Sequence, residues 1–325
     1  MNIERELARH GKLVDREINR VISENFPKNL YEPIKYHLGA GGKRIRPALC
    51  LLSCEAVGGK VKNVLPIATA IEMIHGFSLI HDDIEDRDEL RRGNPTVWKV
   101  WGEALAINAG DGLFTKAFES AANLKGKNSN EALKIFARAV LEVCEGQALD
   151  ISFEKSDAVT EKDYLEMTSR KTGALMEAAC KTGALIGGGS KKEVNALANY
   201  GRKIGIAFQI WDDYIDFASE KTGKTFGLDI KKGKKTFIVC HALARIKGED
   251  RARLFEILKA PVYETTDEMV REAVEILNNS GSIDYANEYA QKLVNEAKAE
   301  LKVLKNTKAK QTLLEFADFV VRREY

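Results

Sequence analysis

Apolar residues recur every three to four positions along most of the chain, and almost no stretch alternates between apolar and polar residues. The first spacing is typical of helices, and the missing alternation argues against strands. We therefore predict an all-α fold. The predicted helices cover residues 2–24, 43–57, 61–86, 97–123, 129–154, 161–187, 191–219, 235–247, 265–278 and 281–322, the last of them broken near Asn306.

The segments between these helices are too short to be linkers. Turn signals fall at Gly58-Gly59 and at residues 126–130, 187–190 and 220–235, and the composition does not shift along the chain. Domain boundaries usually lie in longer, polar or Pro/Gly-rich segments. We therefore predict one domain that spans residues 1–325 and contains about ten or more helices.

Composition excludes several classes of protein. The 50 basic and 48 acidic residues leave a net charge of only +2, too little for a protein whose whole surface must coat nucleic acid. The five cysteines form no CxxC pair, which is typical of a reducing compartment. No run reaches the roughly 18 apolar residues that a membrane span needs. We expect a cytoplasmic protein without stable membrane insertion.

A polar stripe runs along the predicted helix at 61–86. His75, Ser78, Asp82 and Asp86 stand at offsets of three, seven and eleven residues, which place them on one face of a helix. Asp82 and Asp86 repel each other at this spacing, and burying them unpaired would cost far more. We therefore expect a cation beside them.

The same acidic spacing recurs in the segment FQIWDDYIDF. Asp212 and Asp216 repeat the pair, Asp213 stands beside them, and Gln209 precedes them by about one helical turn. Hard carboxylate oxygens without cysteine or a set of histidines favour magnesium over zinc, with phosphate and water completing the coordination. A solvated acidic helix end is the alternative for either cluster alone, and the presence of two clusters disfavours it.

Short glycine-containing stretches supply the cations that a magnesium-bound diphosphate needs on its other oxygens. The segment GGKRIRP places Lys43, Arg44 and Arg46 at a predicted helix N-terminus, where free backbone N–H groups also favour an anion. Ordinary surface charge, or a flexible connection in the glycine-rich loop, is the alternative. The other candidate cations are Arg91, Arg92, Lys171 beside Thr172, Lys224 and Lys234.

The dipeptide His81-Asp82 permits a different class of site, a metal-dependent phosphohydrolase with a His-Asp pair. The chain has only five histidines, and such a site would need a second histidine and a distant aspartate. It would also leave the second acidic cluster unexplained. We therefore favour a packing role for His81 and keep the phosphohydrolase as the alternative from another class.

Five motifs in this order resemble those of the trans-isoprenyl diphosphate synthases, or polyprenyl synthetases. The motifs are GGKRIRPAL, HDDIEDRDELRRG, KTGAL, FQIWDDYID and GKTFGLDIKKGKKT, and the resemblance covers essentially the whole chain. VCEGQALD and the ending ADFVVRREY resemble archaeal geranylgeranyl diphosphate synthases in particular. The resemblance implies the isoprenoid synthase fold, a helical bundle around a central hydrophobic cavity, and a homodimer.

The resemblance also implies a role for each matching residue. Magnesium, with three ions expected when substrate is bound, is held by Asp82, Asp86, Asp212 and Asp216. The catalytic residues are Asp82, Asp83, Asp86, Lys171, Asp212 and Asp213. The allylic diphosphate is held by Arg91, Lys171, Lys224 and Lys234. The site for isopentenyl diphosphate contains Lys43, Arg46, His75 and Arg92, and the reacting centre is lined by Thr172 and Gln209.

These roles imply magnesium-dependent elongation of dimethylallyl, geranyl or farnesyl diphosphate with isopentenyl diphosphate. An aspartate-rich second motif, together with Lys43 and Arg46, argues against a class I terpene cyclase. Two intact aspartate motifs argue against a non-catalytic partner subunit. Four residues, Glu85, Trp98, Gly112 and Trp211, differ from the usual family pattern and bear on the shape of the pocket.

The length of the product is predicted from the residues that precede the first motif. In the family, the fifth residue before that motif often forms the floor of the chain pocket, and here it is Phe77, followed by the small Ser78. This combination indicates a geranylgeranyl product, with farnesyl and longer products as alternatives. On an ideal helix Phe77 is rotated about 140° from Asp82, so its contact with the pocket requires a distortion near Gly76.

Overall fold

The computed structural model describes residues 3–154, 156–218 and 227–322, and this part of the chain is helical almost throughout, so the predicted all-α class is confirmed. Its strands are β1 (Leu90–Arg91) and β2 (Asn94–Pro95), which pair antiparallel. The helices are α1 (Ile3–Val21), α2 (Lys28–Gly39), α3 (Ile45–Ala56), α4 (Val61–Glu85), α5 (Val97–Trp101), α6 (Glu103–Ala122), α7 (Ser129–Glu154), α8 (Glu161–Thr168), α9 (Ala174–Ile186), α10 (Lys191–Ala218), α11 (Leu228–Lys231), α12 (Phe237–Arg245), α13 (Gly248–Lys259), α14 (Asp267–Asn279), α15 (Ser282–Glu300) and α16 (Lys308–Val320).

The chain forms two compact units. The first comprises Met1–Val140, Ala178–Ala198 and Val303–Leu313. Within it, α4 packs against α3 on one side and α6 on another, and α1 and α2 lie next to them. The helix α4 is apolar in almost every direction, so it is buried through most of its length and ends in the first acidic cluster.

The second unit comprises Leu141–Glu177, Asn199–Lys302 and Leu314–Tyr325. Its core is a cluster of apolar side chains from α8 and from α10 to α15, with Phe237 fully buried at α12. Tyr164 of α8 packs on the ring of Phe237, and α12 packs on α15. This core supports the half of α10 that carries the second acidic cluster. Whether the whole chain is one domain stays a prediction.

Three helices were absent from the predicted list: α2, α13 and the single-turn α11, which lies in the 220–235 segment predicted as a turn. The helix α2 contains Pro33, which usually interrupts a helix, but Ile34 and Leu38 are buried and α2 packs against α6. Tertiary packing therefore outweighs the local breaker. The helix α13 had a readable signal, since an acidic first turn precedes Leu254 and Ile257 at helical spacing, and the prediction missed it.

Three predicted helices are interrupted in the structure. The one predicted at 97–123 breaks at Gly102, whose φ of 83° ends α5 and begins α6. The one predicted at 161–187 contains a π-helical turn, Ser169–Gly173, between α8 and α9. The break predicted near Asn306 is confirmed, because α15 passes through a 3₁₀ turn and ends before α16 begins at Lys308.

By length and composition alone, α4 could cross a membrane, and within the described ranges it alone passes that test. Its most apolar stretch is 61% buried inside the structure, as is usual for the core helix of a soluble protein.

The five cysteines, all in described segments, form no disulfide. Cys50, Cys54, Cys180 and Cys240 are buried, whereas Cys144 on α7 is exposed. Burial raises the pKa of the Cys50, Cys54 and Cys240 thiols.

Candidate functional site

The first acidic cluster lies at the end of α4, and its three aspartates do not face the same way. Asp82 and Asp86 are partly exposed, whereas Asp83 is only 1% exposed. Successive helix residues are rotated by about 100°, so residues four apart share a face and the residue between them turns aside. Asp82 and Asp86 therefore form an accessible pair of carboxylates, and Asp83 points into the protein.

The buried carboxylate of Asp83 forms an ion pair with an arginine of the same motif. Arg91, on β1, donates from Nε to Asp83 Oδ1. Burial raises the pKa of Asp83 to about 6, while the Arg91 guanidinium opposes that shift, and Asp83 Oδ2 has no hydrogen-bond partner. The carboxyl group of Asp83 therefore holds the guanidinium of Arg91 next to the accessible pair.

A tight hairpin turn places Arg92 beside the glycine-rich segment. Arg92 and Gly93 connect β1 to β2 with φ values of 53° and 76°, the left-handed conformation that two-residue hairpin turns require. The Arg92 guanidinium donates to the carbonyl oxygen of Gly41. A side chain at Gly42 would collide with that guanidinium, since its Cβ would lie 2.9 Å from Arg92 Nη1. The glycines thus admit Arg92.

The structure brings together the residues predicted for isopentenyl diphosphate. Arg46 Nη1, at the start of α3, lies 3.2 Å from His75 Nε2 on α4. Burial lowers the pKa of His75 well below its usual value, and the nearby Arg46 and Arg92 lower it further. His75 is therefore neutral. Lys43, three residues before Arg46, is exposed. These groups form a concentration of positive charge in the first unit.

The second acidic cluster, on α10, repeats the arrangement of the first. Asp212 and Asp216 are partly exposed, and Asp213 is buried. Tyr164 of α8 donates to Asp213 Oδ2 at 2.6 Å, and Gln209 Nε2 donates to Asp213 Oδ1 at 3.2 Å. Burial raises the pKa of Asp213. In both clusters, then, the first and last aspartates are accessible and the second is bound by other side chains.

Five of the predicted residues of the second unit, namely Lys171, Thr172, Gln209, Asp213 and Lys234, line one cavity of about 90 Å³. Lys171 and Thr172 reach it from the π-helical turn, and Thr172 donates from Oγ1 to Gln209 Oε1 at 3.1 Å. Lys171 Nζ lies 2.6 Å from Asp150 Oδ2. π-helical turns are rare and often occur at functional sites. Lys234 lines the same cavity.

Sequence reasoning missed several residues that line this cavity. Asp150 and Asp229 stand within segments quoted for the resemblance, so a signal existed, whereas no sequence signal pointed to Tyr164. Burial and then the charge of Asp216 raise the pKa of Asp229 to about 6. The backbone N–H of Asp229 donates to Asp216 Oδ2 at 3.1 Å. The missed cavity residues are Asp150, Tyr164, Met167, Asp229, Lys235 and Thr236.

The residues predicted to set product length lie in the first unit. Phe77 is partly exposed and its ring meets Phe114 of α6 edge-on, with centroids 5.2 Å apart. Ser78 Oγ donates to the His75 carbonyl at 2.9 Å. The helix α4 continues through Gly76, so the distortion considered there is not found. The ring of Phe77 meets α6 without it, and a role of Phe77 in a chain pocket stays a prediction.

His81 has the packing role that we favoured. Its ring lies over Gly110, where a Cβ would come within 2.2 Å of Nε2, and it meets Phe77 edge-on. This arrangement does not support the phosphohydrolase.

Lys224 lies outside the described residues. Of the four unusual positions, Glu85 is exposed, the Trp98 indole donates to the Asp88 carbonyl at 2.8 Å, Gly112 faces Leu30, and Trp211 packs on Tyr214.

The accessible carboxylate pairs suit magnesium. In the described part of the chain, no three His, Cys, Asp or Glu side chains converge to hold a metal by protein ligands alone. Magnesium is usually held by one or two carboxylates, with waters and substrate phosphates as the other ligands. Asp82 with Asp86, and Asp212 with Asp216, each offer that donor set, so both clusters fit an ion that arrives with a diphosphate.

Comparison with known proteins adds to this geometry. Residues 27–277 match the family model for polyprenyl synthetases. A short chain isoprenyl diphosphate synthase of Methanothermobacter thermautotrophicus is 47% identical over 98% of each chain. A geranylgeranyl diphosphate synthase of Methanosarcina mazei is 42% identical over 100% of this chain and 99% of its own. The crystal structure of geranylgeranyl pyrophosphate synthetase from Pyrococcus horikoshii superposes with a TM-score of 0.94, at 44% identity and 99% coverage of both chains.

Proposed function

Because the chain belongs to the polyprenyl synthetase family, we propose that it lengthens an allylic diphosphate with isopentenyl diphosphate and yields geranylgeranyl diphosphate. The observation that carries this proposal is the repeated arrangement of aspartates. In each cluster two accessible carboxylates share a helix face, and the buried third carboxylate is bound by a neighbouring side chain. Cationic side chains lie close to each cluster.

Isopentenyl diphosphate would bind through the basic cluster at the start of α3. Arg46 and Arg92 supply planar guanidinium donors, and Lys43 supplies a mobile ammonium. His75 is neutral, so it gives a hydrogen bond without repelling the neighbouring arginines. The Arg46–His75 contact of 3.2 Å holds both groups in place before the substrate arrives.

The allylic diphosphate would bind beside the accessible carboxylates. Asp82 and Asp86 would hold magnesium, which would supply positive charge to neutralise the departing diphosphate. Arg91 donates to the same diphosphate, and we assign Asp83 the role of orienting Arg91 rather than binding the ion, because Asp83 is buried against that guanidinium. In the second unit, Asp213 orients Gln209 in the same way.

The cavity of the second unit would hold further contacts to the allylic substrate. Lys171 and Lys234 supply positive charge, and Asp212 with Asp216 offer the second accessible pair for magnesium. Thr172 and Gln209 are hydrogen-bonded to each other, so their dipoles are fixed at the reacting centre. Asp150 forms an ion pair with Lys171.

The reaction that these residues support is an ionisation followed by condensation. The allylic C–O bond breaks, the diphosphate leaves with the electron pair, and the double bond of isopentenyl diphosphate attacks the resulting cation. A proton is then lost to the departing diphosphate, so no side-chain base is required. The cationic residues stabilise the leaving group, and apolar helices keep water from the cation.

Phe77 is the proposed floor of the chain pocket. Its support is a partly exposed ring on α4 that is buttressed by Phe114, five residues before Asp82. A homodimer, a cytoplasmic location, three magnesium ions and a single domain over residues 1–325 stay predictions that follow from composition and resemblance.

The test is incubation of the purified protein with magnesium, isopentenyl diphosphate and each of dimethylallyl, geranyl and farnesyl diphosphate. Chromatography of the dephosphorylated prenols is expected to show a four-isoprene product. Asp212→Ala should remove activity, whereas Asp250→Ala, at an exposed aspartate in the first turn of α13, should not. Failure to elongate any allylic substrate would overturn the proposed reaction, and a product of another length would overturn only the assignment of the product.

A further inference from the structure

Arg44, the middle cation of the GGKRIRP segment, is buried, unlike its neighbours. It is 9% exposed, and its guanidinium meets three different helices. Nη1 lies 2.8 Å from Glu72 Oε1 on α4, Nε lies 2.8 Å from Asp15 Oδ1 on α1, and Nη2 donates to the Leu38 carbonyl on α2 at 2.9 Å. Arg44 is therefore engaged by the protein and is not placed to bind a diphosphate itself.

The backbone at Arg44 is also held in an unusual conformation. Its φ is 47°, in the left-handed region, which residues other than glycine rarely adopt. Such a conformation persists only where the surrounding contacts enforce it. Arg44 immediately precedes α3, so these contacts determine how the first turn of α3, with Arg46, is presented.

Glu72, the partner on α4, is buried at 3% exposure. Its Oε2 has no hydrogen-bond partner, and burial raises its pKa despite the attraction of Arg44. Buried ion pairs of this kind add little to stability compared with an apolar pair of similar volume, although breaking one is costly. Stability alone therefore does not account for an incompletely satisfied carboxylate in the core.

The placement of the pair suggests its purpose. Glu72 precedes His75 by three residues, so the two share a face of α4. Arg44 precedes Arg46 by two residues at the start of α3. The Arg44–Glu72 ion pair and the Arg46–His75 contact therefore both join the N-terminal end of α3 to α4, at points one turn apart on α4.

We propose that Arg44 and Glu72 are positioning residues that fix Arg46 and His75 for the diphosphate of isopentenyl diphosphate, with Asp15 as a second anchor. The inference rests on the function proposed above. Neither residue of the pair touches the substrate. A charge-assisted contact to a diphosphate depends on donor placement, so a small shift of the α3 terminus weakens this substrate selectively.

The experiment compares Arg44→Lys, Glu72→Gln and Asp15→Asn with the wild-type protein. Each substitution keeps the side chain's size and removes one part of the network. The control is Arg253→Lys, which alters an ion pair between the partly exposed Arg253 of α13 and Glu272 of α14. The Michaelis constants for isopentenyl and geranyl diphosphate are measured separately, and the melting temperature is measured for every variant.

We expect Arg44→Lys and Glu72→Gln to raise the Michaelis constant for isopentenyl diphosphate about tenfold and to change that for geranyl diphosphate less than about twofold. In the variant that carries both substitutions, the Michaelis constant for isopentenyl diphosphate should rise no further than in the more damaging single variant, because the two substitutions remove the same interaction. Asp15→Asn should raise the constant about threefold. Arg253→Lys should change neither constant.

Equal changes in both constants, or a lowered melting temperature with an unchanged constant for isopentenyl diphosphate, would overturn the inference. The Asp15 side chain is 47% exposed, so Asp15→Asn stays folded and decides the question if the core variants do not fold. An unchanged constant in that variant would then refute the proposal. A wild-type protein that does not elongate would instead refute the proposed function.

Discussion

Gly146 lies so close to the backbone of the candidate site that the effect of adding a side chain there can be predicted quantitatively. On α7, Gly146 passes the π-helical turn so closely that a Cβ would lie 2.2 Å from Lys171 N and 2.7 Å from Lys171 Cα. The third atom met is the Arg170 carbonyl carbon at 2.9 Å. All three atoms belong to the backbone, so no side-chain rotation relieves the collision. Gly146→Ala must displace the turn that carries Lys171 and Thr172.

The size of the displacement follows from the distances. Ordinary Cβ contacts begin near 3.4 Å, so a contact of 2.2 Å has to open by about 1 Å. A misplacement of about 1 Å costs roughly 10²-fold in rate when it moves a group that positions the substrate. Overpacking of this kind also destabilises a fold by about 1–3 kcal/mol. We therefore expect turnover to fall about 100-fold and the midpoint of urea unfolding to fall.

The assay measures turnover and both Michaelis constants, with circular dichroism as the check on folding. Turnover and the Michaelis constant for the allylic substrate should change, while the Michaelis constant for isopentenyl diphosphate stays within about twofold of the wild-type value. Gly39→Ala is the matched control, because no atom lies within 4 Å of its Cβ position, and it should keep wild-type activity. Turnover within threefold of wild type in a folded Gly146→Ala protein would refute the reasoning.

Four other predictions follow from the described geometry. Asp82→Ala should abolish turnover with unchanged helical content in circular dichroism, and near-wild-type turnover would contradict the metal assignment. Arg46→Ala should raise the Michaelis constant for isopentenyl diphosphate about 10- to 150-fold, since a charge-assisted contact contributes about 1.5–3 kcal/mol, and a change in the allylic constant alone would reverse the site assignment. Phe77→Ala should shift the prenols seen by chromatography towards five or more units, and an unchanged profile would place the floor elsewhere. Burial, with the charge of Arg92, lowers the pKa of His37 from 6.5 to about 3, so between these values the unfolded chain binds a proton that the folded chain does not. Stability should therefore fall as the pH drops below 6.5, by about 2 kcal/mol at pH 5 for this group, and urea unfolding of His37→Gln at pH 7.5 and 5 should lack that part of the loss.

The sequence was informative wherever one helix carried the whole signal. The spacing of Asp82 and Asp86, and of Asp212 and Asp216, predicted two pairs of carboxylates because helix geometry alone places residues four apart on one face. The same helix geometry turns the aspartate between each pair away from that face, and the prediction did not use this. Asp83 is turned towards Arg91, which a pattern of charges along the chain does not reveal.

Features that depend on packing between helices could not be predicted. Arg44 looked like another anion-binding cation, because its burial depends on Asp15 and Glu72, which are distant in sequence. The helix α2 forms despite Pro33, because packing outweighs local propensity. Tyr164 joins the second cluster through the tertiary structure alone.

The distribution of thiols has a practical consequence for spectroscopy. Four cysteines are buried and Cys144 is exposed, so a maleimide fluorophore should attach at one position of the native protein without any cysteine being replaced. Cys144 lies two residues before Gly146, on the helix that touches the backbone of Lys171. A dye there would report, in real time and on the unmodified sequence, how this helix responds when a diphosphate is added.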